Sequence, residues 1–83
     1  MADKTLTIKI LSPEGALYDG TAEAVFVPGA LCPFEVLPDH APIISTLDEG
    51  SIRWRKDGKE ESVDVKGGVV RLENNVMKIC VQQ

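Results

Sequence analysis

From Pro13 to Gly68 the chain never runs more than eight residues without a glycine or a proline. A helix must fix several residues before its first hydrogen bond forms, so isolated segments shorter than about 12–15 residues are poor helices in water. Breakers at this density end each segment before a typical helix can form. What lies between them is rich in Val, Ile and Thr and alternates apolar with polar, the period of a half-buried strand. The pattern predicts strands over 6–10, 22–27, 34–37, 43–47, 51–56, 61–66, 69–73 and 76–81. Ile52, Trp54, Val63, Val65, Met77, Ile79 and Val81 fall on inward faces, and Asp57-Gly58 and Asn74-Asn75 supply the positive φ values of tight hairpin turns. Short strands with turns between them and no helix predict an all-β antiparallel sandwich or barrel.

The chain has 83 residues, so it is one small domain with a thin core, burying roughly 60% of its unfolded surface. With 43% hydrophobic and 27% charged residues it is a folding composition, neither disordered nor collagen-like. A net charge of −4 argues against a phosphate-binding surface and hence against nucleic acid as a partner. No apolar run approaches the roughly 18–20 residues that span a bilayer, and the N-terminus around Lys4 has no signal-peptide core, so the chain reads as soluble and cytoplasmic. Cys32 and Cys80 are too few for a disulfide framework, and with the single His40 too few for a closed zinc site.

Candidate chemistry is sparse. Cys32 and His40 are close enough in sequence for a nucleophile–base pair, but no motif orients them and Pro33, Pro38 and Pro42 stiffen the backbone around them. A rigid turn that displays a polar side chain accounts better for His40. Gly67-Gly68 lacks the Lys and Ser/Thr of a phosphate-binding loop and reads as a bend or a close backbone approach. The acidic residues are scattered, with no calcium loop and no fixed carboxylate pair. Val76-Met77-Lys78-Ile79 is similar to the Met-Lys-Met hairpin of biotinyl and lipoyl carrier domains, which makes a carrier modified at Lys78 the alternative reading. A carrier lysine must stand at a hairpin tip to swing, whereas Lys78 falls inside a strand.

Taken in order, other residues resemble one family across almost the whole chain. Ile10-Leu11-Ser12-Pro13-Glu14-Gly15 with Leu17-Tyr18-Asp19-Gly20 is similar to its first strand and turn. Val27-Pro28-Gly29, then Val36-Leu37-Pro38-Asp39-His40-Ala41-Pro42-Ile43-Ile44 and Leu47, carry its most specific stretch. Gly50, Ile52-Arg53, Gly67-Gly68 and Asn75-Val76 complete the order. The family is the ε subunit of the bacterial F-type ATP synthase, called δ in mitochondria.

The resemblance implies a flattened antiparallel sandwich, two sheets packed face to face, of about ten short strands. It implies a non-catalytic rotor subunit of the central stalk, without cofactor, metal or small-molecule substrate. That subunit binds the γ subunit and the polar loops of the c-ring and couples ion-driven rotation to ATP synthesis at the cytoplasmic face of the inner membrane. By position, Ala30, Leu31, Cys32, Pro33, Phe34 and Glu35 become candidates for c-ring contact, with Leu31 and Phe34 as apolar anchors, and Asp39, His40 and Ser45 candidates for contact with γ. Cys32-Pro33 departs from the flexible, charged tip usual in the family. Most bacterial relatives continue as a helical hairpin that can inhibit ATP hydrolysis. This sequence stops at Gln83, so a single sandwich domain over 1–83 without that inhibition is the expectation.

Overall fold

The structure, a computed structural model, describes residues 5–82; Lys4, noted above, lies outside them. Among the described residues nine strands form: β1 Leu6–Ser12, β2 Gly15–Ala22, β3 Ala24–Val27, β4 Phe34–Val36, β5 Ile43–Leu47, β6 Gly50–Lys56, β7 Lys59–Val65, β8 Gly67–Glu73 and β9 Val76–Gln82. They make a five-stranded sheet ordered β2-β1-β9-β8-β5 and a four-stranded sheet ordered β4-β3-β6-β7. Among the described residues there is no helix. The two sheets form the all-β sandwich that the breaker spacing predicts, flattened to 38 × 22 × 18 Å.

Alternation decides which side chains meet between the sheets. Leu6, Ile8 and Ile10 of β1, Met77 and Ile79 of β9, and Val70 and Leu72 of β8 are buried, as are Ile52 and Trp54 from the facing sheet. β3 is apolar on both faces because it lies in the middle of its sheet: Val25 and Val27 enter the core while Phe26 stays half-buried on the outside. Tyr18 reaches across to Trp54, ring centroids 4.6 Å apart, and its hydroxyl donates to the carbonyl of Thr21 at 3.0 Å. The indole N–H of Trp54 is buried without an acceptor.

Three features go beyond the strands read from alternation. All pairings are antiparallel except β1 with β9, which run parallel in the middle of the first sheet, Ile8 beside Met77 and Ile10 beside Ile79. The segment 22–27 is not one strand: Ala22 ends β2 in the first sheet and Ala24 begins β3 in the second. The chain turns the corner at Glu23, whose amide donates to the carbonyl of Arg55 at 2.7 Å. β2 shows no apolar alternation because it is an edge strand whose residues are mostly exposed until Ala22. A bulge opposite Ile10 and Leu11 breaks its period further, Ile10 facing Tyr18 and Leu11 facing Ala16 with Leu17 left over.

Gly67-Gly68 opens β8 rather than preceding it. A Cβ at Gly68 would collide with the carbonyl oxygen of Cys80 on β9, so the pair marks a close backbone approach. The turn Asp57-Gly58 (φ 52° and 76°) and the turn Asn74-Asn75 (φ 51° and 62°) both have the two positive φ values of tight hairpins. Because backbone cannot yield at Gly68 without parting β8 from β9, Gly68→Ala should cost about 1–3 kcal/mol, as overpacking of a tight contact does. Urea unfolding followed by Trp54 fluorescence should show the midpoint falling with an unchanged slope.

Candidate functional site

The candidate residues divide between the two ends of β5. At its Leu47 end the loop leaving β3 is laced to the other sheet: Gly29 bridges Leu47, the amide of Ala30 donates to Thr46 at 3.0 Å, and the amide of Asp48 donates to Pro28 at 2.8 Å. Gly29 is buried under its own loop, where a Cβ would stand 2.6 Å from the carbonyl oxygen of Cys32 and 2.7 Å from the Phe34 ring. A glycine there lets the chain double back, and the doubling back lifts the tip. Ala30, Leu31, Cys32 and Pro33 are all exposed, and Leu31 is fully exposed.

Phe34 does not share that exposure. It is half-buried and packs against the core cluster, so of the two expected anchors only Leu31 projects. The Phe34 ring instead walls a groove of about 310 Å³ with Phe26, Pro28, Pro33, Glu35 and Arg53. Glu35 is exposed on β4, and the guanidinium of Arg53 lies 4.9 Å over the Phe26 ring while reaching Glu60 at 3.8 Å.

At the Ile43 end of β5 a second loop is pinned to the β8–β9 turn. The amide of Asp39 donates to Oδ1 of Asn75 at 2.5 Å, and Nδ2 of Asn75 donates back to Oδ1 of Asp39 at 3.0 Å. Asp39 has φ 67°, and the amide of His40 closes the turn onto the carbonyl of Leu37 at 3.2 Å. His40 is exposed with Nδ1 2.8 Å from the carbonyl of Ala41, and because a carbonyl only accepts, Nδ1 is the donor. Ser45 points inward opposite Val70, half-buried, its hydroxyl donating to Thr46, so it is not displayed. Its neighbour Ile44 is, at 74% exposure.

These placements decide between the readings of the candidate residues. Cys32 and His40 lie beyond opposite ends of a five-residue strand, about 13 Å at 3.3 Å per residue, so they form no nucleophile–base pair. Lys78 lies in the middle of β9, flanked by Arg71 on β8 and Lys9 on β1, where no hairpin tip lets it swing; the carrier reading is therefore not supported. Among the described residues no three His, Cys, Asp or Glu side chains converge as metal ligands. Asn75 was not legible as a site residue, and nothing in the sequence set Ile44 apart from its neighbours between His40 and Ser45. Asn75 acts on a partner 36 residues away, and Ile44 looks like its core-facing neighbour until the register is known.

Residues 5–83 match the β-sandwich domain of the ATP synthase delta/epsilon chain. The chain belongs to that family. It is 37% identical over 79 residues to the ATP synthase epsilon chain of Leptospira interrogans, covering 95% of this chain and 62% of that one. It is 39% identical over 75 residues to the epsilon chain of Desulfitobacterium hafniense, covering 90% of this chain and 57% of that one. The family member thus spans about 57–62% of the length of these relatives. Its fold is shared with a chain of the Euglena gracilis mitochondrial ATP synthase OSCP/F1/c-ring structure, with TM-score 0.89, 15% identity, and 95% of this chain and 51% of that one covered. It is also shared with a chain of the Tetrahymena thermophila mitochondrial ATP synthase central stalk and c-ring structure, with TM-score 0.79, 12% identity, and 100% and 67% covered.

The Asp39–Asn75 pair should hold its loop to the sandwich. Asn75→Gly keeps the positive φ without strain but removes both side-chain bonds. Stability should fall by about 0.5–1.5 kcal/mol in total, and amide hydrogen exchange should accelerate at Asp39 and His40 but not at Ala30.

Proposed function

We propose that this chain is the non-catalytic foot of the central stalk of an F-type ATP synthase. It binds the γ subunit and the loops of the c-ring, and couples ion-driven rotation to ATP synthesis as a peripheral part of the complex on the cytoplasmic face of the inner membrane. Family membership supports the assignment to the synthase. The observation that carries the coupling role is the tip around Leu31, a fully exposed apolar side chain on a loop laced to both sheets. An exposed apolar anchor costs solubility unless a partner covers it, and the lacing transmits a push on the tip to the whole sandwich. A coupling element must resist local opening, because torque is lost wherever it yields.

In this reading Ala30, Leu31, Cys32 and Pro33 meet the ring, with Phe34 and Glu35 as the groove behind them. Asp39 and His40 at the opposite end meet γ, with Ile44 in place of the inward Ser45. Pro33 stiffens the tip in the bound shape, and Glu35 adds a rim charge worth about 0–1 kcal/mol against a basic ring loop. Two partners engaged at two ends of one rigid body is the arrangement a coupling part needs.

Titration calorimetry of the purified chain with γ from the same organism should show saturable one-to-one binding. Leu31→Ala should leave that affinity within about twofold, yet weaken docking of the γ-bound chain to isolated c-ring by about tenfold, the loss of one well-packed anchor worth ~1.4 kcal/mol. Equal losses for both partners, or no binding to γ, would refute the assignment of the two ends.

A further inference from the structure

The register of the first sheet sets Ile44, Arg71, Lys78, Lys9 and Asp19 side by side in one row across its outer face. Three cations thus occupy adjacent positions on β8, β9 and β1, in a chain whose net charge is −4. The residues on either side of each along its strand are buried, so all three project outward: Val70 and Leu72, Met77 and Ile79, Ile8 and Ile10. Among the described residues none of the three is ion-paired. Asp19 beyond Lys9 closes the row at one end and Ile44 at the other.

Like charges directly opposite one another destabilise a sheet, and here two such pairs share the central Lys78. Folding alone gives no reason to place them there. The next row along the same face is apolar, Val69 beside Cys80 beside Leu11, and Val69 is 45% exposed. A recess of about 360 Å³ opens over Arg71 and Lys78 and is bounded by Asn74 and Val76, with Glu73 on its wall.

We propose that this outer face docks an acidic amphipathic segment of a partner protein, with carboxylates over the Arg71–Lys78–Lys9 row and apolar side chains over Val69 and Leu11 of the adjoining row. The inference does not rest on the roles given to the Leu31 and His40 loops. Strands stand about 4.8 Å apart, so the row spans about 9.6 Å. Carboxylates at i, i+4 and i+7 of a helix span about 10.5 Å and match it. A flat row without converging backbone N–H groups is a poor cradle for free phosphate. Three cations on a net-negative chain also fall short of the 4–8 that typify an anionic-lipid site. Only a protein segment supplies both the carboxylates and the apolar cover for the adjoining row.

The stability and the binding of Lys78→Glu should move in opposite directions. The substitution turns two repulsive cross-strand pairs into attractive ones, so the Tm of the chain should rise by several degrees. In an NMR titration of the isotope-labelled chain, a helical peptide with Glu at i, i+4 and i+7 and Leu beside them should shift the amides of Val69, Arg71, Lys78 and Lys9. Lys78→Glu should weaken that binding at least tenfold, and Arg71→Gln, which relieves only one repulsive pair, should weaken it with a smaller gain in Tm. Lys56→Glu makes the same charge change on the other sheet and should leave peptide affinity within twofold.

The proposal is overturned if Lys78→Glu leaves both quantities unchanged or weakens binding no more than Lys56→Glu does. It is equally overturned if the Gln version of the peptide binds as well, or if inorganic phosphate or phosphatidylserine vesicles shift these amides and the peptide does not.

Discussion

A parallel pair of strands cannot be joined by a turn, and the first and last strands of this chain pair in parallel at the centre of the larger sheet. Between them the chain leaves that sheet twice, for β3–β4 and for β6–β7, and returns to it each time, at β5 and at β8. Ile8 and Ile10 against Met77 and Ile79 make the floor of the core, all four fully buried. Val25, Ile52 and Trp54 of the smaller sheet close over them. Without the β1–β9 pairing the larger sheet would split into a β1–β2 hairpin and a β5–β8–β9 ribbon, each too small to bury a face by itself.

The first departure also creates the two ends on which the functional reading depends. The chain changes sheet at Glu23, and again between β4 and β5. The loop leaving β3 at one end must bridge to β5, and the loop leaving β4 at the other must bridge to the β8–β9 turn. Each bridge is made by backbone or short side-chain hydrogen bonds, so the loops are held without being buried. Their tips stay free to present Leu31 and His40. An exposed residue on a pinned loop loses little further freedom on binding, which is how such a tip gains affinity from few contacts.

Much of this was legible without coordinates. Glycine and proline spacing excluded helices, and period-two alternation located the core faces of β1, β6, β7 and β9, because both signals are local. The quoted family stretch from Val27 to Leu47 pointed to the fold and to the two loops. β2 was illegible from its pattern because an edge strand buries little and a bulge breaks its period at Leu17. The corner at Glu23 was hidden because Ala22 and Ala24 to Val27 are apolar on both sides of it, so that 22–27 reads as one strand.

The sequence by itself determined that this chain builds short strands, which faces of most of them are apolar, where the tight turns fall and which family it belongs to. Those properties rest on backbone torsions and on side-chain period, which each short segment carries alone. Only the tertiary structure decided that Phe34 folds back while Leu31 projects, that Ser45 faces the core while Ile44 faces out, and that Asn75 holds Asp39. It alone set Lys9, from the other end of the sequence, beside Lys78 and so in one row with Arg71. Each of these depends on strand register, and a shift of one residue in register exchanges every inward side chain for an outward one.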